Sequence, residues 1–329
     1  MVKPVRWGVL GIGKHFILRT MIPMQRSERV ELYGVASRDP EKARKTAEEF
    51  GIPRAYPSYE ALLEDPTVEA VFLPLPNHIH TEWIEKVADA GKHILCEKPL
   101  ALTAEEARRA VEYARGKGVL LMEAFMYRFH PQWVRAREIV RTGHIGTVRE
   151  IYTAFGYANT DPANIRNIRA YGGGALYDIG CYAVSLSRFL LGAEPRRALS
   201  LITRDPEFDT DILTTGILEF AGARSTFTAG TQVFPFQRVD IWGTGGRIHI
   251  RIPFNAYDDV PSTMTVTTGI GEREIAFEPA DQYRLQFAAF SEAVRNGGDV
   301  PVPAEDAVKN LSVMDALFRS ERSGTWEAV

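Results

Sequence analysis

The sequence predicts an α/β protein in two parts: a parallel sheet first, then an α+β domain on a large, mostly antiparallel open sheet. Three observations predict this. Between Val5 and Met122 short apolar runs alternate with helical stretches, a pattern that builds a parallel sheet with right-handed crossovers. From Gly146 onward, runs rich in β-branched residues follow one another without helices between them, as antiparallel strands do. The 329 residues suit two domains of ordinary size, with an expected division into 1–123 and 124–329.

The first strand, Val5 to Leu10, runs directly into Gly11-Ile12-Gly13-Lys14-His15-Phe16. A first glycine permits a tight turn, and a second lets a pyrophosphate approach the backbone. The next helix offers its amino-terminal N–H groups. Phe16 stands where the usual fingerprint has a third glycine. The second strand, Val30 to Ala36, ends in Ser37-Arg38, where an NAD-binding chain usually has an acid. A hydroxyl and a guanidinium suit a 2′-phosphate instead. Asp39-Pro40 reads as the cap of a helix from Glu41 to Phe50.

Tyr56 to Leu63 reads as a loop and short helix, and Glu69 to Leu73 as a buried strand. Prolines stop that strand at Pro74-Leu75-Pro76, and Asn77 is expected to cap a helix reaching Ala90. Leu73, Pro74, Asn77 and His80 are expected to border the nicotinamide half of a dinucleotide site. Lys92 to Leu95 is the next strand, leading to Cys96-Glu97-Lys98-Pro99-Leu100. Proline biases Lys98 towards an extended conformation that projects its side chain from the strand end. A helix starts at Thr103, and Val119 to Met122 closes the series.

In the second part, strands are expected at 148–155, 196–203, 212–220, 224–231, 238–242, 247–252 and 264–268, with closing helices at 283–295 and 304–319. Tyr283 and Gln286 are as well suited to packing as to the site. Gly172-Gly173-Gly174 reads as a flexible approach to a helix on which Asp178 and Tyr182, four residues apart, share a face. Tyr127, Arg128 and His130 form a polar and aromatic cluster at the expected domain junction. They suit pinning the domains or touching a substrate.

Bulk properties exclude several classes. A formal charge of −3 gives no general reason to bind nucleic acid or an anionic membrane. No apolar run is long enough to span a bilayer, and the sequence opens without a signal-peptide pattern. Cys96 and Cys181 read as reduced, buried thiols. The expected location is the cytoplasm. His78 and His80 lack a cysteine or carboxylate at metal spacing, so no metal site is expected.

Four segments together resemble the Gfo/Idh/MocA oxidoreductases, named for glucose–fructose oxidoreductase and inositol dehydrogenase. They are Gly11-Ile12-Gly13 with Ser37-Arg38, then Cys96-Glu97-Lys98-Pro99-Leu100, then Glu123-Ala124-Phe125-Met126-Tyr127-Arg128-Phe129-His130-Pro131. The fourth runs from Asn164-Ile165-Arg166 through Gly172 to Tyr182. The later segments look most like the aldose dehydrogenase, glucose–fructose oxidoreductase and dimeric dihydrodiol dehydrogenase branch. Inositol dehydrogenases commonly have a histidine where this chain has Tyr182.

The resemblance implies a Rossmann domain binding NADP(H) through Gly11, Gly13, Lys14, His15, Phe16, Ser37, Arg38, Glu97 and Lys98, with Arg166 reaching the cofactor or closing over the substrate. It implies catalytic roles for Lys98, Asp178 and Tyr182, which with Tyr127 and Arg128 are the expected substrate contacts. Tyr182 would remove a proton from a sugar hydroxyl while hydride leaves the same carbon for the nicotinamide. Free tyrosine titrates near about 10, and a neighbouring Lys98 ammonium would favour the phenolate. Asp178 would orient the hydroxyl and balance the charge on Lys98.

The expected activity is NADP-dependent oxidation of an aldose at C1 to a lactone. Alternatives are a glucose–fructose-type oxidoreductase with tightly held NADP, a keto-sugar reductase and a trans-dihydrodiol dehydrogenase. From another class stands a non-catalytic NADP-binding sensor. An open sheet face predicts a homodimer or homotetramer.

Overall fold

The computed structural model describes residues 3–329. Met1 and Val2, the first residues of the expected amino-terminal domain, lie outside the described residues. The chain divides into two compact units, Met1–Met126 with Gln282–Val308, and Tyr127–Asp281 with Lys309–Val329.

The first unit is built on six parallel strands: β1 (Val5–Leu10), β2 (Val30–Ala36), β3 (Arg54–Tyr56), β4 (Ala70–Leu73), β5 (His93–Cys96) and β6 (Leu121–Glu123). Their order is β3-β2-β1-β4-β5-β6. Order reverses between β1 and β4, so a crevice opens at the carboxyl ends of these strands. Five of the six are strands expected from the sequence. β3 is a polar three-residue edge strand that pairs with β2 from Gly34 to Ala36, too short to show a period.

Helices α1 (Met21–Gln25), α2 (Pro40–Phe50), α3 (Tyr59–Glu64), α4 (His80–Asp89) and α5 (Ala104–Gly116) connect the strands. Asp39 caps α2 by accepting from the N–H groups of Glu41 and Lys42, and Gly51 closes it in the left-handed region. Thr103 caps α5 through the Glu106 N–H. Asn77 is not the cap of α4. Pro76 precedes a 3-10 turn over Asn77–Ile79, and the α-helix starts at His80.

The second unit contains α6 (Pro131–Arg141), β7 (Val148–Ala158), α7 (Cys181–Leu191), β8 (Arg197–Arg204), β9 (Asp211–Phe220), β10 (Ala223–Gly230), β11 (Gln232–Gly243), β12 (Gly246–Ile250), β13 (Ser262–Thr268), β14 (Gly271–Phe277) and, near the carboxyl end, β15 (Glu327–Ala328). They form a nine-stranded sheet in the order β14-β13-β12-β11-β7-β10-β9-β8-β15. Every pair is antiparallel except β7 with β10. The strands β14 and β15 are not expected from the sequence: one is mostly exposed with three consecutive charged residues, the other two residues long.

One sheet face is apolar, with Ile151, Phe227, Val239, Ile241 and Ile248 fully buried. On the other face Arg238 lies over the Tyr152 ring and His249 bonds Asp240 at 2.8 Å. Leu201 and Trp242 are exposed.

Two helices close the chain, α8 (Gln282–Asn296) and α9 (Glu305–Ser323). The expected division at residue 124 places α8 in the second domain, but it belongs to the first unit. Phe287 packs edge-on against Trp7 of β1 and Phe72 of β4, at 5.3 and 5.1 Å between ring centroids. The Trp7 indole donates to Ser291 Oγ, and Arg295 forks onto both oxygens of Glu69. Burying each such aromatic side chain contributes roughly 2–3 kcal/mol. The helix itself is expected from the sequence, but which sheet a helix from the far end of the chain packs on leaves no trace in local patterning. Residues of α9 from Lys309 onward cluster with the second unit, where Ser200 of β8 donates its hydroxyl to the Leu317 carbonyl. No helix among the described residues is long and apolar enough to cross a membrane.

Candidate active site

In the first unit the expected cofactor residues gather at the carboxyl ends of β1, β2, β4 and β5. Gly11 bonds back to the Ala36 carbonyl and has φ +103, a left-handed value that favours glycine. A Cβ at Gly13 would meet nothing within 4 Å, so that backbone is open to a diphosphate. Helical backbone begins at Lys14 and His15 and passes into a π turn over Phe16–Thr20, where the Met21 N–H reaches the Phe16 carbonyl five residues back. The Phe16 and Leu73 side chains are fully buried, so these residues can offer a ligand only backbone.

At the end of β2, Ser37 is buried and its Oγ accepts the Asp39 N–H at 3.1 Å. Arg38 is exposed and interacts with the Tyr59 hydroxyl. Burial raises the Tyr59 phenol, and the Arg38 guanidinium opposes that rise. An open diphosphate cradle followed by a cation at the β2 end fits an NADP-type dinucleotide.

The Glu97-Lys98-Pro99 turn is held from several sides. Glu97 Oε1 meets His15 Nε2 at 3.1 Å, and Oε2 accepts the Lys98 N–H at 3.3 Å. Burial alone would raise the Glu97 carboxyl, but His15 and Lys98 more than offset it and hold it below the usual range. Glu123 accepts the Leu100 N–H at 2.8 Å. His80 is fully buried, with its ring nitrogens 2.9 Å from the Pro99 carbonyl and 2.8 Å from the Leu75 carbonyl. Both nitrogens are engaged, so His80 braces the two strand-end loops and does not reach a cofactor.

In the second unit Asp178 and Tyr182 occupy one helical stretch, but its geometry differs from a plain α-helix. A π turn covers Leu176–Gly180, with the Cys181 N–H reaching Leu176 O, and α7 follows. The approach is not flexible. A Cβ on Gly173 would lie 2.5 Å from the Arg166 carbonyl oxygen, and one on Gly174 would collide with the Asp211 carboxylate. Asp211 accepts the Leu176 N–H at 2.6 Å and the Thr214 hydroxyl at 2.8 Å. It thereby caps the stretch that carries Asp178. Burial pushes the Asp211 carboxyl up to about 6, against the pull of those bonds.

Asp178 Oδ2 accepts from Arg166 Nε at 2.8 Å and from the Tyr157 hydroxyl at 2.6 Å. The Asp178 charge holds the Arg166 guanidinium well above its usual range. Burial first, then the Asp178 charge, pushes the Tyr157 phenol far up. Asp178 thus has a positive partner within its own unit. Tyr182 is buried against Phe254, Phe155 and Tyr127, at centroid distances of 5.0, 5.9 and 5.9 Å.

Tyr127 is fully buried, with its hydroxyl 2.8 Å from Ser185 Oγ and its ring against Trp133, Phe189 and Phe254. A side chain so enclosed packs the core and is not a substrate contact. Arg128 donates to Ser185 Oγ and lies over Phe189. His130 caps α6, and burial lowers its imidazole to about 4.

Three site residues escaped the sequence reading. Tyr157 continues the inward parity of Ile151, Thr153 and Phe155, and that signal was available. Asp211 and Phe254 carry no local signal; distant backbone brings them to α7.

Comparison with known proteins is decisive on ancestry. Residues 5–125 match the Gfo/Idh/MocA model described as an oxidoreductase family with an NAD-binding Rossmann fold, and residues 133–249 match the Gfo/Idh/MocA C-terminal domain. The chain belongs to the Gfo/Idh/MocA oxidoreductase family. It is 38% identical to a D-xylose 1-dehydrogenase (NADP(+)) of Haloferax volcanii, over 96% of both chains. An aldose-aldose oxidoreductase from Caulobacter crescentus superimposes with a TM-score of 0.91 at 29% identity, covering 99% of this chain and 100% of that one. A 3-ketoreductase from Actinomadura kijaniata, solved with NADP, gives 0.90 at 29%, covering 96% and 98%. This family member is therefore an oxidoreductase, and its cofactor is NADP(H).

Proposed function

We propose that this family member transfers hydride between NADP(H) and a sugar, preferably oxidising an aldose at C1 to the lactone. The observation that carries the reading is the helical stretch with Asp178 and Tyr182, its carboxylate ordered by Arg166 and Tyr157. The named activities of the D-xylose dehydrogenase and the aldose-aldose oxidoreductase support an aldose. The A. kijaniata reductase has been solved with one tyrosine replaced and, separately, with one lysine replaced. These two are as far apart in sequence as Lys98 and Tyr182 here, which supports assigning catalysis to this pair.

In the proposed chemistry Tyr182 takes the proton of the C1 hydroxyl. Bound NADP+ supplies the acceptor for the hydride that leaves the same carbon. Lys98 donates to the substrate oxygen and favours the phenolate of Tyr182. Asp178, held by Arg166, orients the hydroxyl. Gly11, Gly13, Lys14 and His15 hold the diphosphate; Ser37 and Arg38 hold the 2′-phosphate. Pro74, Asn77 and the Leu73 backbone border the nicotinamide.

Reduction of a keto-sugar uses the same residues in reverse, and the 3-ketoreductase neighbour favours it as the second reading. Leu201 and Trp242 on the open sheet face support a homo-oligomer, checked by light scattering. The decisive experiment adds xylose, glucose and a keto-sugar panel, one at a time, to the protein with NADP+ or NADPH. Absorbance at the NADPH band rising with an aldose supports the reading. Turnover confined to NADPH with ketones overturns the preferred direction.

A further inference from the structure

His15 and Glu97 both border the cofactor site, and they are bonded to each other. His15 stands in the first turn of the helix behind the glycine loop, with Nε2 3.1 Å from Glu97 Oε1. The other oxygen of the same carboxylate accepts the backbone N–H of Lys98. One carboxylate therefore spans from the diphosphate loop to the backbone of the lysine. An ionised carboxylate has acceptor capacity for both bonds at once. His15 and Lys98 favour that ionised state despite burial. The His15 ring is also seated edge-on against Tyr283 of α8 at 5.8 Å. Beyond Lys98 the turn is braced by His80 on the Pro99 carbonyl and Glu123 on the Leu100 N–H.

We propose that His15 is a positioning residue: filling the diphosphate end of the cofactor site stiffens the Lys98 turn through the His15–Glu97 bond. A diphosphate orders the loop that carries His15. An ordered His15 fixes the Glu97 carboxylate by a charge-assisted bond, and Glu97 fixes the Lys98 N–H. The inference rests on NADP(H) binding by this family and is independent of which sugar reacts.

The test uses 2′-phospho-ADP-ribose, which carries the diphosphate and 2′-phosphate but no nicotinamide to touch Lys98. Amide hydrogen exchange is followed over residues 10–17 and 94–101. In the wild type the nucleotide slows both segments, the second by roughly fivefold, the low end for coupling between sites. In His15→Ala, and in His15→Phe, which keeps a ring against Tyr283, nucleotide raised until 10–17 is fully slowed leaves 94–101 unchanged. Glu97→Ala severs the same link from the other end and gives the same loss. Slowing confined to 10–17 in the wild type overturns the proposal. So does slowing of 94–101 that survives in both His15 variants. No slowing at 10–17 in the wild type overturns the assignment of the diphosphate to this loop together with it.

Discussion

The two units offer their chemistry by different means. In the first, the candidate cofactor contacts are largely backbone, from the open approach at Gly13 to the strand ends at Leu73 and Cys96, with the Ser37, Arg38 and Lys98 side chains beside them. Other side chains there brace loops, as His80 does between the Leu75 and Pro99 carbonyls. In the second, the chemistry sits on the side chains of one helical stretch. Asp211, Arg166 and Tyr157 hold it in place with charges and hydroxyls. A backbone site is fixed by where glycine and proline fall. A side-chain site needs each partner's charge to be right.

Tyr182→Phe is expected to lower kcat by roughly 10²–10⁴-fold, the worth of a positioned acid–base group. NADPH affinity, read by nucleotide fluorescence, should stay as it was; a matching loss in affinity would erase the division of labour. Arg38→Ala should raise the NADPH dissociation constant about tenfold or more and hardly move that for NADH. An equal loss for both nucleotides would remove the 2′-phosphate contact from the account.

Asp211 tests the cost of a charge-held site. Burial raises its carboxyl to about 6 in the folded state, above its unfolded value, so the native protein binds that proton more tightly. Its contribution to stability is fully present below the ordinary carboxyl range and is lost as pH rises towards 6. Asp211→Asn should remove that loss, on the order of 2–3 kcal/mol, in denaturation measured from pH 4 to 7. An unchanged slope would mean the carboxylate is better compensated than its burial implies.

Arg295→Ala probes the first unit at its seam with α8. Its bonds to Glu69 hold that carboxyl down to about 2. The stability they add is present above the ordinary carboxylate range and lost as pH falls towards 2. At neutral pH the expected loss is about 1 kcal/mol, because the pair is partly solvated. The thermal midpoint measured at pH 7 and again near pH 2 checks it, and the difference between wild type and variant should shrink at the lower pH.

The first unit was the more legible in sequence for the same physical reason. Gly11, Pro74 and Pro99 are punctuation whose meaning is local, and the caps at Asp39 and Thr103 formed as their residue types dictate. What escaped there was β3, too short to have a period, and the seat of the expected helix α8 on Trp7 and Phe72, which is contact over distance. In the second unit alternation showed most of the sheet but not the support of Asp178. Arg166 was legible as a polar group near the glycines; its bond to Asp178 required the loop's path. Gly173 and Gly174 read as freedom. They are close approaches, to the Arg166 carbonyl and the Asp211 carboxylate, and which one a glycine means depends on neighbours distant in sequence.

The helical stretch that carries Asp178 and Tyr182 opens with a π turn, which amounts to one residue more than an α turn holds. Removing that residue, as in a deletion of Ile179, would keep both side chains in the sequence. It would also rotate one against the other by about 100°, a residue's step around an α-helix. A relative altered this way would align well, show both groups, and lack the site. In comparing descendants of this chain, the length of the stretch from Gly174 to Tyr182 therefore carries as much inheritance as the identity of its residues.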